Sequence, residues 1–160
     1  MYFCSRHSLR QGGKVYFTDI NEEEGTQTKK ELQEEFGSNC VDFSVHDITD
    51  QDDWDKVWTK AEVFFQGSVE ALVNNAGVYG VKESLDMNII DVNIKGTVLG
   101  TELGLQRMAK YGGVIVQLGS TASLVASSAS PLYTASKHAV LGMIRAHDEN
   151  SFKRWVLFNS

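Results

Sequence analysis

The stretch VEALVNNAG, residues 69–77, starts as a short apolar run and ends in amides and small side chains. A run of that length, bounded by turn-forming residues, reads as a buried strand opening into a turn. Three similar stretches flank it: KVYFTDI (14–20), CVDFSVHDI (40–48) and GGVIVQLGS (112–120). Each is followed by a segment of helical character. Residues 22–36 form a charged helix stopped at Gly37, and residues 51–66 a helix that Thr49 or Asp50 can cap and that ends at Gly67. A long helical segment covers about 84–110, with Leu85, Ile89, Val92, Leu99, Leu103 and Met108 spread along it, and a last helix covers 131–146. Strands alternating with helices, the strands nearly continuous in apolar residues, predict an α/β fold with a doubly wound parallel sheet. Ligands of such sheets lie at the carboxyl ends of the strands. Asp19, Asp47, Asn74, Asn75 and Ser120 stand at those ends.

The 160 residues fit one domain, residues 1–160, with 42% hydrophobic and 22% charged side chains. A net charge of −6 argues against nucleic acid or an anionic membrane as partner, since both call for a basic face. Cys4 and Cys40 are too few for a disulfide framework, and the four histidines lack metal-ligand spacing, so no metal is expected. No apolar run approaches the roughly 18 residues of a membrane span, and MYFCSRHSLR lacks the pattern of a signal peptide. The cytoplasm is the expected compartment.

Asp19, ending the first strand, is placed to accept hydrogen bonds from an adenosine ribose and to repel a 2′-phosphate; its alternative role is to open the next helix. Tyr133 and Lys137 are one helical turn apart on one face. A tyrosine titrating near pH ~10 is a poor base at neutrality, but a neighbouring ammonium and a cationic nicotinamide favour the phenolate. Tyr133 could then take a hydroxyl proton while hydride leaves the same carbon, with Ser120 bonding the oxygen. Taken alone, a Tyr and a Lys four apart are an ordinary feature of many helices.

The combination is more specific. VNNAG, then VNIKG, then GS ending a strand, then YTASK thirteen residues after Ser120, resembles in that order the short-chain dehydrogenase/reductase family. The resemblance implies a Rossmann-like fold and a catalytic tetrad of Asn93, Ser120, Tyr133 and Lys137. In that family the Asn holds a water that relays protons from the Lys, which also binds the nicotinamide ribose. It further implies NAD contacts from Asp19 and Ile20, from Asp47 and Ile48 at the adenine, and from Asn75, besides Tyr133 and Lys137. LVNNAGV, YTASKHAV and TDINEEEG are similar to the NAD-dependent 15-hydroxyprostaglandin dehydrogenase branch, in which Ser130 would touch substrate together with Ser120.

The sequence also departs from the family's pattern. The family opens with a strand and a T-G-x-x-x-G-I-G loop that holds the cofactor pyrophosphate on backbone amides, and these 160 residues contain no such motif. GGK at 12–14 reads as the end of a missing helix, and the resemblance spans about residues 9–145. RWVLFNS reads as the start of a further strand, without the family's following P-G loop. The fold is therefore expected to lack its first strand, its glycine-rich loop and its C-terminal elements. Two functions follow. One is an NAD-dependent oxidoreductase interconverting a secondary alcohol and a ketone, impaired by truncation. The other is a non-catalytic partner of full-length relatives. The family commonly dimerises through the helices matching 84–110 and 131–146, so a homodimer is expected in the first case.

Overall fold

The computed structural model describes residues 2–80, 86–147 and 153–159. The chain divides into two compact units, Met1–Asp47 with Asp52–Ser68, and Ile48–Gln51 with Val69–Ser160.

In the first unit, strands β1 (Val15–Asp19) and β2 (Val41–Val45) pair in parallel, Val15 opposite Val41 and Asp19 opposite Val45. Successive side chains alternate between the faces of the pair. On one face Phe17 and Val41 join Leu9 of helix α1 (Tyr2–Arg10) and Leu32 of helix α2 (Glu22–Phe36) in a core, with Val15 and Phe43 packed against it. The other face carries Tyr16, Ser44 and His46, which meet helix α3 (Gln51–Phe65) through Phe64 against Tyr16 and Trp54 against His46. Both faces are covered, as apolar parallel strands require. α2 is capped by the Asn21 side chain, which accepts a hydrogen bond from the Glu24 amide at 3.1 Å. It approaches the strands so closely that a β-carbon on Gly25 would lie 2.0 Å from the Phe43 ring.

Helix α1 corrects the expectation that the helix before β1 is missing. It is a short amphipathic helix: Ser5 and Leu9, four residues apart, are buried, and Arg6 pairs with Glu35 on α2. It ends in a Schellman arrangement. The Gly13 amide bonds Ser8 O and the Gly12 amide bonds Leu9 O, both at 3.0 Å, with Gly12 at φ +81°. GG is therefore a helix stop whose helix is present.

In the second unit, strands β3 (Ala71–Asn74), β4 (Val114–Ser120) and β5 (Lys153–Asn159) form a parallel sheet in that order. β5 pairs with β4 from Val114↔Lys153 to Ser120↔Asn159. β5 is the further strand that RWVLFNS was expected to start. The pairing among the described strands thus runs in two sheets, β1 with β2 and β3 with β4 and β5. The long helix of the second unit runs through α4 (Asn88–Ile90), a π-helical segment (Asp91–Gly96) and α5 (Thr97–Met108). Residues 84 and 85, where it was expected to begin, lie outside the described residues. Gly104 lets α5 rest on Leu72 and Ile115: a β-carbon there would lie 2.9 Å and 3.1 Å from their methyl groups. A 3-10 turn (Thr121–Ser123) follows β4, and helix α6 (Pro131–His147) completes the unit.

Candidate active site

The residues expected to act on substrate all lie in the second unit. Helix α6 carries Tyr133 and Lys137 on one face, and the Lys137 Nζ lies 5.6 Å from the centroid of the Tyr133 ring. The Lys137 side chain is buried, and that burial holds its pKa below the ordinary 10.5. Its Nζ donates to Leu118 O at 3.0 Å, two residues before the end of β4. An ammonium has three donors, so this bond leaves two others. They can serve the space above Gly77, where a β-carbon would lie 3.7 Å from Nζ and 3.2 Å from Asn93 Oδ1. A side chain there would crowd Asn93 Oδ1 and make an ordinary contact with Nζ.

Asn93 sits in the π-helical segment, the kind of local widening often found at functional sites. It is 1% exposed, and its amide is a clamp: Oδ1 accepts from Val78 N at 2.8 Å, while Nδ2 donates to Val78 O at 2.9 Å and to Ser136 Oγ at 3.0 Å. Its side chain thus holds the loop after β3, and both amide hydrogens are used. The Asn93 backbone carbonyl accepts the Thr97 hydroxyl at 2.8 Å. Ser136, fully buried, donates in turn to Tyr133 O at 2.8 Å.

Ser120, the last residue of β4, is buried at the start of the 3-10 turn. Its Oγ accepts from the Ala122 amide at 3.2 Å, and its own amide donates to Ser123 Oγ at 3.1 Å. That capping box fixes the rotamer while leaving the hydroxyl proton able to donate. Ser130 is 2% exposed, and its carbonyl accepts the Thr134 amide at 2.9 Å as α6 begins.

The residues expected to hold the cofactor divide between the units. In the first, Asp19 is exposed at the end of β1, where Oδ1 accepts the Asn21 amide at 3.0 Å, and Ile20 beside it is 69% exposed. Asp19 thus bonds the backbone just before α2, whose cap is Asn21. The Asp47 amide donates to Asp53 Oδ2 at 3.5 Å. In the second unit Ile48 packs on Gly96, where a β-carbon would come within 2.5 Å of its Cδ1. Asn75 is half-buried, with its amide bonded to Val73 O at 3.0 Å. Asn74 reaches α5 through Thr101 Oγ1 at 3.2 Å, and Gln117 of β4 reaches the same oxygen at 2.6 Å.

Two neighbours of the site escaped the sequence reading. Ser136 lies inside YTASK directly before the lysine, so its position was visible and its role was not. Tyr79 follows NNAG by two residues, and its ring meets the Tyr133 ring edge to face, centroids 4.9 Å apart. Nothing in the composition of the loop signals that contact.

A parallel α/β chain whose helix α6 sets a buried lysine beneath a tyrosine, near the end of β4, defines the class: a dinucleotide-type fold. The chain belongs to the short-chain dehydrogenase family, whose model matches residues 2–159. It is 36% identical over 141 residues to human 15-hydroxyprostaglandin dehydrogenase (NAD(+)), a match covering 86% of this chain and 52% of that protein. It is 31% identical over 140 residues to the NADP-dependent (R)-specific alcohol dehydrogenase of Lentilactobacillus kefiri, covering 82% of this chain and 54% of that one. Among solved structures, a protein assigned as a short-chain dehydrogenase from Novosphingobium aromaticivorans superposes with a TM-score of 0.87 at 26% identity. That match covers 96% of this chain and 62% of that one. A short chain dehydrogenase/reductase from Burkholderia phymatum in complex with NAD shares the fold, with a TM-score of 0.85 at 23% identity. The chain spans about half the length of the curated relatives it matches.

Proposed function

We propose that this chain carries the chemistry of an NAD-dependent oxidoreductase that interconverts a secondary alcohol and a ketone. The observation that carries the reading is the buried Lys137 ammonium beneath the Tyr133 ring. The names of its relatives support it: one is designated for NAD(+) and 15-hydroxyprostaglandin, another for alcohols.

A nicotinamide nucleotide supplies the hydride acceptor when bound. Lys137 Nζ and the Gly77 backbone would hold its ribose, and the exposed Asp19 carboxylate would select NAD over a 2′-phosphorylated cofactor. Tyr133 Oη takes the hydroxyl proton of the alcohol, and the Ser120 O–H donates to the same oxygen and fixes its position. The ammonium of Lys137 favours negative charge on the Tyr133 ring during transfer and passes the proton on toward the Asn93 carbonyl. Asn93 also keeps the loop at Val78 in register with α6 through Ser136. Ser130 is the candidate substrate contact in α6's approach loop.

Thermal unfolding of the 160-residue chain with and without NAD tests the reading, because a ligand of the folded state raises the midpoint by mass action. At a concentration 100 times the dissociation constant, the gain is about 2.7 kcal/mol. A rise with NAD and not with NADP is the expected result. An unchanged midpoint with both would overturn cofactor binding by this chain.

A further inference from the structure

Tyr79 is 61% exposed, on a backbone held at both of its neighbours. On one side, Val78 has both its amide and its carbonyl bonded to the buried Asn93 amide. On the other, Gly80 lies against Ile89, so close that a β-carbon on it would be 2.5 Å from Ile89 Cδ1. The ring between these anchors packs at 68° to the Tyr133 ring. A large aromatic surface is thus held open to solvent directly beside the proposed base. Edge-to-face contact with Tyr133 uses only part of that ring, and much of the rest faces solvent.

We infer that Tyr79 is a specificity-determining residue: it forms an aromatic wall beside Tyr133 and selects alcohols or ketones with an aryl or other flat apolar group next to the carbinol carbon. The inference rests on the oxidoreductase reading and names its substrate class. A substrate oxygen that meets Tyr133 Oη must extend one substituent past the neighbouring ring. A flat apolar substituent there removes exposed aromatic surface from water and stacks on it. A methyl group covers little of it. The phenol oxygen of Tyr79 plays no part in this, so Phe should serve as well.

The test measures binding of acetophenone and of acetone to the full 160-residue chain by ligand-observed NMR, for wild type, Tyr79→Phe and Tyr79→Ala. Loss of one aromatic contact should weaken acetophenone by about three- to ten-fold in Tyr79→Ala. Tyr79→Phe should bind it as wild type does, and acetone should not distinguish the three. Tyr79→Leu, which keeps apolar bulk without the ring, stands in if Tyr79→Ala unfolds. Equal acetophenone binding by wild type and Tyr79→Ala, or none by wild type, overturns the inference. The cofactor reading fails separately. If NAD leaves the unfolding midpoint unchanged while acetophenone still discriminates, the oxidoreductase assignment falls and the aromatic wall stands. If NAD binds while Tyr79→Ala is indifferent, the reverse holds.

Discussion

The two units bury different kinds of residue. The first fills its interior mainly with Leu9, Phe17, Leu32, Val41, Trp54 and Trp58, with Ser5, Ser44 and His46 among its buried polar residues. The second places Asn93, Thr97, Thr101, Gln117, Ser136 and Lys137 inside, beside a smaller apolar set that includes Ile89, Met108 and Ile115. Buried polar groups cost stability unless paired; here the hydroxyls chain along the helix, while Gln117 Oε1 has no partner among the described residues. Thr101 donates to Thr97 O at 2.7 Å, and Thr97 donates to Asn93 O at 2.8 Å. The first unit is thus held mainly by shape and hydrophobic burial, the second by a connected polar network with Asn93 at its centre. A network of that kind fixes the Tyr133–Lys137 face more firmly than apolar packing alone, because a displaced partner leaves an unsatisfied group behind.

Substitutions in the two units should therefore fail in different ways. The largest loss of stability is expected from Asn93→Ala, which strands both Val78 backbone groups and Ser136; about 2–3 kcal/mol is expected in urea unfolding. A loss below about 0.5 kcal/mol would mean that the clamp is not structural. Next is Gly25→Ala in the first unit. Alanine favours the helix by about 1 kcal/mol, but overpacking against Phe43 costs about 1–3 kcal/mol, so net destabilisation of up to about 2 kcal/mol is expected. Its NAD response per folded molecule should not change. An increase in stability would show that the α2–β2 contact yields easily.

The smallest effect is a slope with pH. Burial lowers the Lys137 pKa in the folded chain below 10.5, so the unfolded chain binds that proton more tightly. The lysine's unfavourable contribution is full below the folded value and is relieved as pH rises from there to 10.5. The stability of wild type relative to Lys137→Met should accordingly rise with pH across that alkaline window. A parallel pair of stability curves would contradict the burial of the charge.

Much of this was legible in the sequence. Each strand core announced itself by an apolar run, and the helix stops at Gly37 and Gly67 follow directly from the residues. Asn93, Ser120, Tyr133 and Lys137 were picked out by the resemblance of VNIKG, GS and YTASK, in that order, to the motifs of a family; the spacing of Tyr133 and Lys137 alone would not have marked them. Helix α1 was not legible, since its apolar face consists of little more than Leu9 and becomes readable only against α2. The π-helical turn was hidden for a similar reason: VNIKG fits an α-helix equally well, and the contact of Ile48 with Gly96 crosses a long stretch of chain. Asp19 shows the opposite limit, where one residue type suits two roles and its bond to the Asn21 amide is compatible with both. Tyr79 gains its meaning only from a contact between residues 54 positions apart.

The central claim is that the polar network of the second unit presents Tyr133 as an acid/base beside Lys137. The most direct test compares NAD-dependent oxidation of 1-phenylethanol by wild type and Tyr133→Phe, with unfolding midpoints measured alongside. The account predicts NADH formation by wild type and a fall of about 10²–10⁴-fold in Tyr133→Phe at an unchanged midpoint, since Phe keeps the ring and removes only the proton acceptor. Equal rates in the two proteins would contradict it.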